Sequence, residues 1–314
     1  MRPATRRVVC TAALVAAASC LLWGAQQPPP PAPAPPDSPA VVQHIAALKA
    51  KVGPRWQDAV HFWCEAPRAN RADDPVIEPT QIFDNVYAIG SIGTVAYVIR
   101  TSAGLMMIDA LSAGDVDSRL LPGFAKLKLD PSQVKVILVA HGHADHFGGS
   151  AYFQEKYGSR VLVSAADAQP AKRDGELKDK EPVTLGDVTV TPVAVPGHTP
   201  GSMGFIFPVL DRGERHVAAL FGGSWLTPGL LSDDAMRTYL SSVNAFRQAT
   251  TSAGVDAWLQ NHPLMVPFDQ WLTQLRVRGP RDANPFIVGR SAYQSFVDVI
   301  EGCSQIALER RAKA

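Results

Sequence analysis

The chain has 314 residues, of which 46% are hydrophobic and 19% charged, and its net charge is +1. That length supports one large domain or two small ones with a buried core. The near-neutral balance gives no electrostatic pull toward nucleic acid or a membrane surface, and past the N-terminus no run reaches the roughly 18 apolar residues of a membrane span.

Arg2, Arg6 and Arg7 precede an apolar run from Val8 to Ala25, which ends in small residues. A basic start followed by an apolar stretch is the pattern of a secretory signal peptide, expected here over residues 1–25. An uncleaved membrane anchor and lipidation at Cys20 are the alternatives; Ala17 stands where a lipidation motif usually has Leu. Loss of the three arginines takes the net charge from +1 to −2. Residues 26–40 are nearly all Pro, Ala and Gln, a composition that favours extended polyproline II and reads as a tether. The folded domain is then expected over 41–314. Outside the signal the cysteines are Cys64 and Cys303. In an exported protein they are expected to form a disulfide between the N-terminal arm and the C-terminal helix, with two buried thiols as the alternative.

Residues 41–60 have helical spacing, broken at Gly53-Pro54. VYAIG (86–90), VAYVIR (95–100) and GLMMID (104–109) read as a meander of strands. A helix is expected over 115–129, disturbed by Pro122. VKVILVA (134–140) is a continuous apolar run, as in a strand buried on both faces. A helix over 147–157 and a strand over 161–164 follow. A second series of strands is expected at 187–195, 203–210 and 216–223, then a helix over 233–251, a last strand over 255–261, and helices over 268–277 and 290–312. Two strand-rich halves, each ending in helices, predict two packed sheets with helices outside.

The chain has eight histidines, and three fall in HGHADH at 141–146, directly after the strand at 134–140. Loops at the C-terminal ends of such strands are where α/β proteins place their sites. Imidazole and carboxylate suit zinc. Four ligands in one short loop cannot all reach one tetrahedral ion, so further ligands must come from elsewhere. His198 in VPGHTPGS and His262 in QNHP each follow a strand end and are flanked by Pro or Gly. His44, His61 and His216 have no such setting and read as structural or surface residues. Six ligands suffice for two zinc ions, each with three protein ligands and an open position, the pattern of catalytic sites. Two such ions hold a shared hydroxide and clamp a substrate oxygen, which predicts hydrolysis.

HxHxDH with the distal PGHTPGS and NHP resembles the metallo-β-lactamase superfamily over roughly residues 80–265. The resemblance implies an αββα sandwich of two mixed sheets with helices on the outer faces. It also implies that His141, His143 and His198 hold the first zinc, and that Asp145, His146 and His262 hold the second. Asp145 would orient the hydroxide and shuttle a proton to the leaving group, and Asp109, at the end of GLMMID, would be a buttress and not a ligand.

LFGGSWLTPG (220–229) discriminates among the family's branches. Glyoxalase II, ribonuclease and lactonase members carry a metal-bridging aspartate here, and subclass B1 and B2 β-lactamases a cysteine. This chain has Gly222-Gly223 and neither residue, which resembles subclass B3. Ser224 matches a serine that positions the substrate carboxylate, Leu226 replaces a second serine, and Trp225 is either groove or core. The implied protein is a periplasmic, monomeric di-zinc β-lactamase acting on a small molecule, with no nucleic-acid partner and no stable membrane domain once the signal is removed. The alternatives are an exported hydrolase of another ester, lactone or thioester, which Leu226 favours, and a zinc-binding module without turnover.

Overall fold

The computed structural model describes residues 36–65, 74–224 and 231–312. The expected signal peptide and most of the tether lie outside these residues, as do Trp225 and Leu226. The compact unit begins at Asp37, inside the stretch read as linker. The Asp37 carboxylate meets the Arg310 guanidinium at 2.7 Å. Helix α1 (Pro39–Val52) starts on the Ser38 hydroxyl, which accepts from the Val41 N–H, and stops at Gly53. A turn at Pro54–Trp56, α2 (Gln57–Val60) and a wide turn at His61–Glu65 complete the N-terminal arm.

The elements that follow are β1 (Thr80–Phe83), β2 (Val86–Gly90), β3 (Val95–Thr101), β4 (Gly104–Ile108), α3 (Leu121–Lys126), β5 (Val134–Leu138), α4 (Ala144–Phe147), α5 (Ser150–Tyr157), β6 (Arg160–Val163) and β7 (Gly175–Glu176). Strands β1 to β7 form one sheet in chain order. Its first four strands are antiparallel, and β4 through β7 run parallel. The second sheet holds β8 (Val183–Leu185), β9 (Val188–Ala194), β10 (Met203–Asp211), β11 (Glu214–Leu220) and β12 (Ala257–Trp258), in the order β12-β11-β10-β9-β8. Strands β8 to β11 are antiparallel and β12 joins parallel. Helices α6 (Asp233–Ala253), α7 (Phe268–Arg276) and α8 (Arg290–Arg311) finish the chain. Two mixed sheets with helices make the expected sandwich.

Period-2 geometry explains why the central strands of the first sheet are apolar over most of their length. In β3, Val95, Tyr97 and Ile99 join the core that includes the second sheet. Ala96 and Val98 join a separate cluster with Leu120, Phe124 and Phe153. From Val95 to Ile99 both faces are buried, and only Arg100 and Thr101 at the end of β3 reach solvent. Beyond the second sheet, Trp56 from the arm packs within 5.0 Å of Phe296 on α8 and 6.0 Å of Trp258 on β12 (ring centroids). The Cys64–Cys303 disulfide is formed and ties the arm to α8.

Several expected elements are shorter or divided. The helix expected at 115–129 is a wide turn at Val116–Leu120 followed by α3. Pro122 has no N–H to donate to the turn before it. The helix expected over 147–157 begins only at Ser150. At this corner Ala110 N–H donates to His146 O and Gly149 N–H to Leu111 O, so the backbone bonds to the loop after β4 and not to a continuing helix. The strand expected over 255–261 pairs only at Ala257–Trp258. Asn261 O instead accepts from Val95 N–H of the first sheet, which pulls the segment off the second. Strands β1, β7 and β8 were not expected.

Candidate active site

Asp109 directly follows strand β4 and is held at φ +61°. Its carboxylate points back under the neighbouring strand, where Oδ1 accepts the Ala140 N–H at 2.8 Å. This fixes the exit of β5 immediately before His141. His141 is fully buried, and neither of its ring nitrogens has a hydrogen-bond partner. An imidazole left this way is costly unless something else binds it. The chain then turns into α4, with His143 at its N-cap and Asp145 and His146 in its single turn. His198 lies in the turn between β9 and β10, and His262 follows β12.

The side chains converge as two groups that could hold a metal ion: His141, His143 and His198, and His141, His146 and His262. In the first, His198 Nε2 and His143 Nδ1 lie 3.1 Å apart. In the second, His146 Nε2 and His262 Nε2 are 2.9 Å apart. Asp145 Oδ2 lies 3.4 Å from the former and 3.7 Å from the latter. Ligands bound tetrahedrally at about 2.0–2.1 Å sit about 3.3–3.4 Å from one another. The donor pairs given above, at 2.9 to 3.7 Å, fall on either side of that spacing. His141 touches both groups, its ring centroid 3.9 Å from that of His146 and 4.7 Å from that of His198.

The second group is oriented from behind. The Nδ1 of His146 lies 2.7 Å from Asp109 Oδ2, and that oxygen also accepts from Asn261 Nδ2 at 3.1 Å. The Nδ1 of His262 lies 2.6 Å from Gly93 O. Both rings thus turn Nε2 toward the site, the arrangement that metal-ligating histidines adopt.

The electrostatics favour a cation. Burial and the neighbouring imidazoles push the His141 pKa well below its ordinary value. Burial, with His143 next in weight, lowers His198 to about 3. Burial and His146 lower His262 to about 4. These rings are neutral at pH 7, which is the ligating form. His146 is the exception: burial opposes its charge, but Asp109 and Asp145 outweigh that and raise it to about 10. Partial burial would raise the Asp145 carboxyl, yet His146 and His262 hold it well below the usual carboxylate range. Two carboxylates beside clustered imidazoles make a setting that could hold a metal ion.

All six expected ligands and the Asp109 buttress meet here. Ser224 is fully buried and its hydroxyl has no hydrogen-bond partner. Gly223 before it has φ +72°, and a Cβ there would lie 2.6 Å from His198 Cβ. The backbone is packed tightly against His198. The sequence reading missed Asp167, Asn261, Gly93 and Thr94, whose hydroxyl lies 3.5 Å from Asp145 Oδ2. Asp167 carried one usable signal: it is an aspartate in the loop that follows an apolar strand, four residues past the end of β6. His44, His61 and His216 pair with Glu309, Glu65 and Asp256, away from the site, as expected.

Residues 90–211 match the profile of the Metallo-beta-lactamase superfamily. A hydroxyacylglutathione hydrolase of Pseudomonas syringae is 31% identical over 180 residues, covering 48% of this chain and 66% of that protein. One from Anaeromyxobacter dehalogenans is 43% identical over 67 residues, 21% of this chain and 26% of its own length. The chain thus spans between about a quarter and two thirds of these curated relatives. Among solved structures, BJP-1, a subclass B3 metallo-β-lactamase of Bradyrhizobium japonicum, is 25% identical with a TM-score of 0.64, covering 78% of this chain and 99% of that one. The FEZ-1 metallo-β-lactamase from Legionella gormanii shares the fold at 22% identity and a TM-score of 0.61, over 77% of this chain and 95% of its own.

Proposed function

The chain carries a metallo-β-lactamase superfamily domain, and from that premise we propose that it is an exported di-zinc hydrolase of subclass B3 type that opens β-lactam rings. The observation that carries the choice of branch is Gly223. The resemblance places a bridging aspartate here in glyoxalase II members. In this chain the position has no side chain, a left-handed backbone, and His198 within contact of any added Cβ. The disulfide fits an oxidising compartment outside the cytosol.

His141, His143 and His198 would hold one zinc, and Asp145, His146 and His262 the other. When bound, zinc polarises a carbonyl oxygen and lowers the pKa of water toward about 7. The residues of the chain do the rest. Asp109 and the Gly93 carbonyl hold the His146 and His262 rings in one tautomer with Nε2 inward. The Asp145 side chain is 42% exposed and stands at the open side of the site. Its carboxylate would orient the attacking hydroxide and shuttle a proton to the departing nitrogen.

A second reading is hydrolysis of a glutathione thioester, which the names of the curated relatives and the enclosed Ser224 hydroxyl favour. Steady-state turnover of a carbapenem and a cephalosporin, beside an S-acylglutathione and an aryl ester, decides between them. The lactamase reading expects chelator-sensitive lactam turnover far above thioester turnover. Thioester turnover alone would replace it with the second reading.

A further inference from the structure

His146 and His262 are each steadied by a group on the ring nitrogen facing away from the site, whereas His141 and His198 are not. Both nitrogens of His141 and the Nδ1 of His198 are buried without a hydrogen-bond partner. A ligating histidine ordinarily gets its orientation from a bond at its second nitrogen. In the His141, His143, His198 group that restraint must come from the backbone carrying the rings.

The two loops that carry those rings meet on one carboxylate. Asp167, in the loop after β6, is 5% exposed. Its Oδ2 accepts the N–H of Gly142, the residue between His141 and His143, at 2.7 Å. The same oxygen accepts the hydroxyl of Thr199, the residue after His198, at 2.9 Å. Its Oδ1 accepts the Gly201 N–H at 2.9 Å. The packing is close enough that a Cβ on Gly201 would lie 2.6 Å from Asp167 Cγ. Arg173 in turn holds the Asp167 segment, donating to Ser164 O at 2.9 Å and Asp167 O at 2.8 Å. The first loop leaves β5 of one sheet and the second joins β9 to β10 of the other, so a single side chain ties the two sheets together at the rim.

We propose that Asp167 is a positioning residue that sets the spacing of the His141, His143, His198 metal group, as Asp109 does for the Asp145, His146, His262 group. Charge-assisted hydrogen bonds of 2.7–2.9 Å suit that task because they resist both stretching and rotation. The inference rests on the two-metal reading.

The test is zinc affinity of the full chain by chelator competition, with cobalt absorbance as a second readout. Asp167→Asn is placed in two backgrounds: His262→Ala, which retains the first group, and His198→Ala, which retains the second. The expected result is an affinity loss of about ten- to hundredfold in the His262→Ala background, with altered cobalt bands, and little change in the His198→Ala background. Thr199→Val, which removes one of the three donors and little volume, is expected to give a smaller loss with the same selectivity. Thermal melts of the metal-free proteins identify any variant that does not fold. Unchanged affinity in the first background, or equal losses in both, overturns the role of Asp167. Absence of zinc binding in the parent chain with Asp167 intact overturns the two-metal reading itself, and the inference with it.

Discussion

Asp109 Oδ2 lies 2.7 Å from His146 Nδ1, and both side chains are fully buried. The other Asp109 oxygen accepts the Ala140 N–H, so one carboxylate fixes both the strand exit and a ring in the site. An asparagine there keeps the size and tolerates the left-handed backbone at φ +61°, but it brings no charge to the imidazole. Asp109→Asn is expected to weaken zinc binding about ten- to hundredfold. Competition against a graded series of chelators measures this, and wild-type affinity would remove Asp109 from the site's support.

The two groups also predict stoichiometry. His198 reaches only the first group and His262 only the second. Each alanine variant should therefore retain about one equivalent of zinc after dialysis, against two in the parent, by atomic emission. Chelation of the parent should abolish hydrolysis, and added zinc should restore it. A parent that holds a single equivalent would refute the paired arrangement.

Much of this site was readable beforehand because its ligands sit in short motifs after apolar strands. HGHADH is contiguous, and His198 and His262 each follow a strand end beside Pro or Gly. The central strands were legible for a related reason: burial on both faces leaves an apolar run that needs no partner to be recognised, as in β3 and β5. The elements that were missed or misjudged are short or are set by their pairing partners: β1 and β8 are four and three residues long and pair with the next strand. Strand β7 is two residues long and exists through its bonds to β6. The end of the 255–261 segment crosses to Val95 of the other sheet. Asp167 was missed because its partners, Gly142, Thr199 and Gly201, are 25 to 34 residues away.

Away from the site, Arg278 grips Asp211 at the end of β10 through two bonds of 2.8 and 3.0 Å. The side chains are only 11% and 12% exposed. Burial would raise the Asp211 pKa, but Arg278 and Asn284 outweigh it and hold the carboxyl below its ordinary value. A depressed folded-state value contributes stability that is full above the unfolded value of 3.8 and is lost as pH falls through the folded one. Asp211→Asn should thus cost about 1–3 kcal/mol at pH 7, and the gap to the parent should close as the pH drops below that range. Urea midpoints at pH 7 and pH 3 read this directly, and a gap of constant size would show that the carboxylate's charge is not what matters.

The disulfide separates stability from chemistry. It joins Cys64 and Cys303 across 239 residues of sequence, linking the arm to α8. Cross-links over long loops restrict the unfolded chain most, and a native one is worth about 2–5 kcal/mol. The packing of Trp56 on Phe296 and Trp258 remains when the bond is gone, so the arm stays docked in the folded state. A Cys64→Ala, Cys303→Ala variant is therefore expected to melt well below the parent, while zinc stoichiometry and turnover per folded molecule at 25 °C stay within about twofold. A matching drop in turnover would mean that the arm and α8 reach the metal site in a way the separate placement of Cys64 and the histidines does not account for.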